Sequence, residues 1–447
     1  MNKKIFCNVY EYCVFSIMIF LLSVLIRIYF GYSCGIIIGG DGQSYSALGE
    51  MIYTKGLGNP SWLFSFDTFR PPVYPFFVAV IYTVFGKSLL AVALSQAVLG
   101  ACVPVLIGFI AVSVYDDFIA CGAPILAALY PGFVFLSNLM MSELLGTFLL
   151  LVSILFYLQV LSLKKDPERI DVYHTIFSGF FMGLAVLTRA IFLPFLIFVP
   201  IITIIVKKGK IFKDRTLVYI SVFFIVSLLT IVPWTVRNYI VHNEIIPVTS
   251  QTGITIYSSY ILEEGQSYGY LTHNEDTRLA GTLPTIGEKN DYLIDKTISF
   301  IRENPGKTLS REFQKLLFTI CPIDWAIIAP GDDTGAYNVF FASYFPLTLL
   351  GFWFSFRFKS EQKLFIVYFV FSYILVLLIF YSSPRLRIVI EPFFILLAIY
   401  GVKNILQLKK RKLYLSIMSM WFVFQVLIVW NFIYFKELVK NIIYKLI

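Results

Sequence analysis

Arg70-Pro71-Pro72-Val73-Tyr74-Pro75 leads into an apolar run that ends at Gly86, and whether that run crosses a bilayer decides the topology of the whole chain. A helix needs about 20 apolar residues to span the hydrocarbon core. Val73 to Gly86 supplies 14. The prolines ahead of it remove backbone donors and force an extended entry. The run is therefore read as an interfacial or re-entrant helix, with the residues before it shaping the floor of a cavity over the first outer loop.

Outward from this run, eleven stretches are long and apolar enough to span, roughly 12–34, 90–114, 118–138, 143–163, 172–189, 190–206, 216–236, 337–356, 363–382, 387–405 and 413–434. With the N-terminus inside, the later inner loops carry the basic runs Lys164-Lys165…Arg169, Lys207-Lys208…Lys210…Lys213…Arg215, Arg357…Lys359 and Lys409-Lys410-Arg411-Lys412. The short outer loops carry few cations, Lys55, Arg70, Lys87 and Arg385. Basic residues in short loops mark the cytoplasmic side, and the asymmetry survives only if 73–86 does not cross. The predicted organisation is a transmembrane catalytic module over 1–236 with a first outer loop at 35–89, an extracytoplasmic loop domain over 237–336, and C-terminal transmembrane helices over 337–447. Within the loop domain, Gly287 to Glu303 and Thr308 to Ile320 read as amphipathic helices broken by Asn304-Pro305-Gly306. No internal repeat of convincing period is present, which speaks against an inverted-repeat transporter.

Composition agrees. Of 447 residues, 58% are hydrophobic and 14% charged, and mean hydropathy is +0.79. A soluble domain carries about 25% charged residues. DNA-binding proteins, cytosolic dehydrogenases and disulfide-stapled secreted domains are excluded, and a polytopic membrane protein remains. The net charge of +9 is read as topology and anionic-lipid contact, not as a nucleic-acid footprint. The six cysteines show no metal spacing. Cys34 and Cys321 fall in predicted outer loops and are read as free thiols, with a pairing of the two as the alternative. Met1 to Phe30 has the look of a signal peptide but no small-x-small cleavage site, so it is read as an uncleaved first helix.

The predicted orientation sorts the polar residues. Asp41, in Gly39-Gly40-Asp41-Gly42-Gln43-Ser44-Tyr45, follows the first span directly. Flanking glycines allow a tight turn and close approach to a ligand, and a partly desolvated carboxylate there can act as a general base toward a hydroxyl. The plain alternative is a solvated loop Asp. Glu143, between two apolar runs, needs a partner or water and is a functional candidate by default; N-capping by Ser142, with Glu143 favoured by the helix dipole, is compatible with that. Such a carboxylate can position an acceptor, help hold a divalent ion or balance an arginine.

Arg70, Arg189, Arg237, Arg385 and Arg387 all sit at the predicted outer face. Snorkelling to headgroups explains any single one. Together, facing a carboxylate loop, they would also suit a lipid-linked phosphate, because guanidinium pairs bidentately with phosphate oxygens. Tyr45 and Tyr74 are read as candidate acceptor- or sugar-binding residues, together with Tyr257 and Tyr260. Tyr257, Tyr260, Tyr268 and Tyr270 are available in the loop domain to stack on sugar rings. His174, His242 and His273 form no ligand pair, so no dedicated metal site is read. Arg27, inside the first span, is read as facing a neighbouring helix or snorkelling.

In this order the motifs resemble the GT-C glycosyltransferases, specifically family 39-like enzymes related to lipid A aminoarabinose transferases and protein O-mannosyltransferases. The residues that carry the resemblance are Asp41 with Tyr45, Arg70-Pro71-Pro72-Val73-Tyr74-Pro75, Pro131…Glu143, Gly183-Leu184-Ala185…Leu187-Thr188-Arg189, Pro233-Trp234…Arg237-Asn238 and Pro384-Arg385…Arg387…Glu391-Pro392. The resemblance implies an all-α GT-C-type fold and a polyprenyl-phosphate-sugar donor. It implies inverting transfer to a glycan, lipid or protein hydroxyl outside the bacterial cytoplasmic membrane, with Asp41 as general base and Glu143 as the second acidic position. Many relatives have an acidic residue directly after the first-loop Asp, where this chain has Gly42. A divalent metal is thus possible but not required, with arginines neutralising the leaving phosphate in its place.

Two other functions compete. A transporter of lipid-linked glycan predicts charged residues at mid-membrane depth, where only Arg27 lies. An O-antigen polymerase or ligase relies on outer-loop arginines and histidines, without a first-loop Asp. Substitution of Asp41 separates these readings.

Overall fold

The structure, a computed structural model, describes residues 9–38, 40–161, 169–208, 215–261, 274–320, 322–324, 336–358, 360–408 and 411–430. It is a nearly all-helical polytopic bundle, with one two-residue antiparallel strand pair, Ile323–Asp324 against Ala336–Tyr337, among the described residues. Among the described residues, eight helices are long and apolar enough to cross a membrane: Tyr10–Cys34, Leu89–Val114, Glu143–Leu161, Ala190–Lys207, Thr216–His242, Val339–Arg357, Glu361–Ile379 and Arg411–Ile428. Val73–Phe85, Asp117–Leu129 and Val172–Thr188 are apolar but shorter. The 73–86 run accordingly forms a helix of 13 residues, about 20 Å long at 1.5 Å per residue and too short to span. It lies on the Asp41–Lys55 helix, with Val78 filling the space that Gly49 leaves open.

Prolines explain where helices depart from the hydropathy runs. The run 118–138 is not one helix: it stops at Leu129, and Tyr130 takes an extended conformation (φ −69°, ψ 115°) before the short helix Pro131–Leu136. A residue before proline is pushed out of the α region, so the break sits where Pro131 dictates. Residues 137–142 then run non-helically, and all six are buried. The boundary between 172–189 and 190–206 falls where the sequence placed it. Arg189 is extended there, a 3-10 turn Ala190–Phe192 follows, and Phe195–Lys207 starts after Pro194.

Close packing relies on small residues, as expected where lipid supplies no hydrophobic drive between helices. Gly179 and Gly183 lie on the face of Arg169–Thr188 that meets Thr216–His242, and a Cβ on either would collide with that helix near Phe223 and Thr230. The Ser227 hydroxyl donates to the Gly179 carbonyl at 3.0 Å. The helices Val339–Arg357 and Glu391–Gln407 touch backbone to backbone, because a Cβ on Gly351 would overlap the Leu397 carbonyl. Between the bundle segments lie Thr252–Ile261, Glu275–Thr282, Ile286–Glu303 and Pro305–Ile320. The last two match the expected amphipathic helices, and the break comes at Asn304-Pro305. Of the expected stacking tyrosines, Tyr268 and Tyr270 lie outside the described residues. Cys34 is a free thiol, and Cys321 lies outside the described residues.

Candidate active site

Gly40 adopts φ +44°, a conformation that suits glycine, and from it the Asp41–Lys55 helix begins with Asp41 in its first turn. The helix dipole favours a carboxylate there. Gly42 brings this helix against the 137–142 segment: a Cβ would stand 3.0 Å from the Met140 carbonyl oxygen. Glu143 opens its own helix immediately after that segment. Two helix N-termini, each bearing a carboxylate, thus come together.

Three arginines from three further segments join them. Arg70 Nη2 lies 2.5 Å from Asp41 Oδ1, and Arg385 Nη2 lies 2.9 Å from Asp41 Oδ2. Arg385 Nε also lies 2.8 Å from Glu143 Oε1, and Arg189 Nη1 lies 3.0 Å from Glu143 Oε2. Arg385 is therefore the bridge between the acids. The contacts to Glu143 are ion pairs by distance but lack hydrogen-bond alignment, since both its oxygens are without a hydrogen-bond donor; the attraction there is coulombic. Arg70 Nε and Arg189 Nε are buried with no acceptor among the described residues. With three guanidiniums against two carboxylates, the cluster is one positive charge in excess and retains unused donors.

Exposure separates the two acids. The Asp41 side chain is 29% exposed and that of Glu143 1%. Burial by itself would raise the Asp41 pKa; the guanidiniums of Arg385 and then Arg70 outweigh it, and the net shift is downward from the ordinary 3.8. Arg385 is held more firmly protonated than usual, mainly by Glu143 and, against its own desolvation, by Asp41.

The supporting contacts are equally specific. The Ser142 hydroxyl, expected as an N-cap, instead accepts from Arg189 Nη1 at 3.0 Å and meets the Tyr45 hydroxyl at 3.0 Å. The Tyr45 ring lies under Arg70, 5.3 Å from the guanidinium carbon. Tyr74 is fully buried and donates to Gln96 Oε1 at 2.6 Å. Gln96 Nε2 then donates to the carbonyls of Ser137 and Leu139 at 3.1 and 2.9 Å. Arg27, also fully buried, donates from Nε to Ser137 Oγ at 3.1 Å and from Nη1 to the Ser23 carbonyl at 3.0 Å. Gln96 was not singled out from the sequence, although a lone amide inside an apolar run is the signal that marks such a residue.

Arg237 and Arg387, expected on phosphate, stand elsewhere. Arg237 donates to the carbonyls of Leu63 (2.7 Å) and Phe66, to Thr68 Oγ1 and to Asn238 Oδ1; every guanidinium nitrogen is used in holding the first loop. Arg387 pairs with Glu391 at 2.7 Å, 3.6 Å from the centre of the Phe341 ring, and is 1% exposed. Both are buried because their partners lie within the fold. Tyr257 is likewise fully buried, with its hydroxyl on Asp276 and Asn274, so its ring has no open face for a sugar. Tyr260 lies beneath the Lys315 ammonium, 3.7 Å from it.

A divalent cation does not fit this donor set. Each oxygen of Asp41 and Glu143 faces a guanidinium, and Arg385 stands between the acids where a shared ion would have to sit. Among the described residues no three His, Cys, Asp or Glu side chains converge elsewhere.

Residues 69–235 match the family model described as dolichyl-phosphate-mannose-protein mannosyltransferase. No curated protein matches the chain. Among solved structures, the oligosaccharyltransferase AglB from Archaeoglobus fulgidus, in complex with an inhibitory peptide and a dolichol-phosphate, superposes with a TM-score of 0.60 at 16% identity, over 94% of this chain and 54% of that one. An Archaeoglobus fulgidus oligosaccharyltransferase in the apo form gives 0.59 at 15% identity, with the same coverage. The chain thus spans about half the length of AglB. ArnT from Cupriavidus metallidurans, bound to undecaprenyl phosphate, gives 0.43 at 11% identity, over 89% of this chain and 78% of that one. Asp41 and Arg385 lie outside the matched residues 69–235, whereas Arg70, Glu143 and Arg189 lie within them. In fold this chain is a GT-C-type polytopic membrane protein, and the mannosyltransferase family model covers the segment that supplies three of the five charged groups in its cluster.

Proposed function

We propose that the protein is a membrane glycosyltransferase that moves a sugar from a polyprenyl-phosphate-linked donor to an acceptor hydroxyl, with inversion, on the outer face of the bacterial cytoplasmic membrane. The observation that carries this reading is the five-group cluster: a reachable carboxylate beside three guanidiniums that hold one positive charge in excess. Asp41 takes the proton from the acceptor hydroxyl. The oxygen attacks C1 of the sugar as the bond from C1 to the phosphate oxygen breaks, and the lipid phosphate leaves with the electron pair. Arg70, Arg189 and Arg385 stabilise the charge that develops on it. The presence of a dolichol-phosphate in the solved AglB supports a lipid phosphate as the donor's leaving group.

The ion pairs give Asp41 a reason to act only when donor is bound. With both oxygens held by Arg70 and Arg385, it is a weak base. A phosphate that draws those guanidiniums away restores its basicity beside the accepting hydroxyl. Glu143, buried behind Arg385 and Arg189, orients the arginines and does not meet substrate. The helix that Glu143 begins supports this sidedness. Its far end, Leu161, lies about 28 Å away, where the Leu161 carbonyl accepts from Lys207 at 3.0 Å. That end leads into the basic runs that the positive-inside rule assigns to the cytoplasm.

Transfer from a radiolabelled polyprenyl-phosphate-sugar into a membrane acceptor pool tests the reading, comparing wild type with Asp41→Asn, each with and without chelator. The variant should lose about 10²–10⁴-fold in rate, the usual contribution of a general base, and chelator should leave wild type unchanged. Full activity in Asp41→Asn overturns the assignment and moves the weight to a polymerase or ligase mechanism.

A further inference from the structure

Beside the charged cluster, and separate from it, is a cavity of about 310 Å³ between the first loop and the loop-domain helices. The chain builds it by laying residues 248–254 along residues 68–70. Ser250 N donates to the Thr68 carbonyl at 3.1 Å, and Gln251 Nε2 donates to the Phe69 carbonyl at 2.9 Å. Asn290 closes the opposite side, accepting from Gly253 N at 2.8 Å; a Cβ on Gly253 would collide with Asn290. The volume is at the small end of ligand pockets, which run from about 300 to 1,000 Å³.

Its lining joins an apolar wall to a polar one. Phe69 supplies an aromatic surface, and Ser250, Gln251, Asn290 and Lys289 line the cavity around it. With Gln251 Nε2 and Asn290 Oδ1 engaged by backbone, the other end of each amide has no partner among the described residues and is available, one as acceptor and one as donor. Among the described residues the Lys289 ammonium has no ion-pair or hydrogen-bond partner. An aromatic face, neutral donors and acceptors, and one uncompensated cation suit a sugar ring that carries an anionic substituent. Phe69 is also the wall shared with the active site: its ring centre lies 5.1 Å from the Arg70 guanidinium carbon, and Arg70 pairs with Asp41.

We propose that this cavity binds an anionic monosaccharide unit of the acceptor, adjacent to the unit whose hydroxyl is glycosylated. The placement next to the reacting hydroxyl rests on the transferase reading above; binding of the anionic sugar does not. The acceptor is then an acidic glycan, selected by Lys289 and Phe69.

The test measures binding directly, with the full-length protein in nanodiscs of zwitterionic lipid and saturation-transfer NMR. The probes are methyl glucuronoside, methyl glucoside and glycerol phosphate, the last offering charge without a ring. Wild type should give a glucuronoside signal at least fivefold above either other probe. Gly281→Phe should lower it, because Gly281 lines the cavity and nothing lies within 4 Å of where its Cβ would stand, so a larger side chain can be placed at the cavity's edge without a clash at its Cβ. Lys289→Gln, a surface change that spares the fold, should bring glucuronoside down to the glucoside level. Absence of a glucuronoside signal, equal signals for the two sugars, preference for glycerol phosphate, or a signal that survives both substitutions overturns the proposal. Asp41→Asn should keep the full signal. Intact binding together with full transfer activity in that variant would keep the cavity's ligand and discard the transferase mechanism alone.

Discussion

Two carboxylates share one set of arginines, and their surroundings assign them different work. Asp41 is reachable and Glu143 is not. The depressed Asp41 pKa fixes the sign of a pH effect. A group whose folded pKa lies below its unfolded one contributes stability above the unfolded value and loses it as pH falls through the folded one. Wild type should therefore lose thermal stability below about pH 4, more steeply than Asp41→Asn, in scanning fluorimetry from about pH 3 to 7; parallel curves would contradict the ion pairing. Arg385 is the more severe test, as among the described residues it alone touches both acids. Arg385→Gln should cost about 10²–10³-fold in transfer rate, the usual effect of removing one preorganised charge-stabilising donor. Arg385→Lys should recover little, since a single ammonium lacks the fork that meets two carboxylates at once. The sequence singled out all five members of this cluster, yet gave no reason to set Arg237 and Arg387 apart from the other arginines; their carbonyl and carboxylate partners are visible only in the fold.

At the scale of elements, the segment 137–142 decides how the acids meet. Non-helical backbone at membrane depth is tolerated only where protein satisfies it. Here Gln96 accepts from Tyr74 and donates to two carbonyls of the segment, and the Asn138 carbonyl accepts from Ile37 N at 3.0 Å. Gln96→Leu leaves the buried Ser137 carbonyl without a donor, at about 1–3 kcal/mol, and leaves the Leu139 carbonyl with Met141 N as its remaining donor at 2.8 Å. The variant should melt earlier and lose kcat more than it raises the donor KM. A lower melting temperature with unchanged kcat would limit Gln96 to stability. Gly351→Ala tests the packing of Val339–Arg357 on Glu391–Gln407. The added methyl meets the Leu397 carbonyl, and overpacking of this kind costs about 1–3 kcal/mol, to be read as a loss of thermal stability in detergent. Hydropathy found both of these helices. It also found the short 73–86 helix, because length alone separates it from a span. It overran 118–138, because an average over apolar residues does not register the break that Pro131 imposes.

Across the whole molecule, segments distant in sequence, near residues 41, 70, 143, 189 and 385, meet at one end of the bundle. A lipid phosphate that binds there should stabilise the folded state by mass action. Undecaprenyl phosphate should raise the melting temperature of wild type, and Arg70→Gln or Arg385→Gln should remove the shift. Arg387→Lys should lower the baseline, because its buried pair with Glu391 is disturbed, yet keep the shift. An unchanged shift in Arg70→Gln and Arg385→Gln would place the phosphate elsewhere.

What the sequence determined by itself is what local physics controls. The membrane class follows from composition, most helices from the length of their apolar runs, and the break at Asn304-Pro305 from proline chemistry. Even the roster of charged residues could be drawn, because a charge beside a long apolar run needs a partner or water whatever the fold. Which partner each charge takes is not local. Arg70 and Arg385 reach Asp41, and Arg237 reaches the Leu63 and Phe66 carbonyls, only after the helices have packed. The same holds for the burial that separates Glu143 from Asp41 and for the cavity between Phe69 and Lys289. Each depends on the close approach of chain segments far apart in sequence, and that approach is set by packing, not by any periodicity the sequence displays.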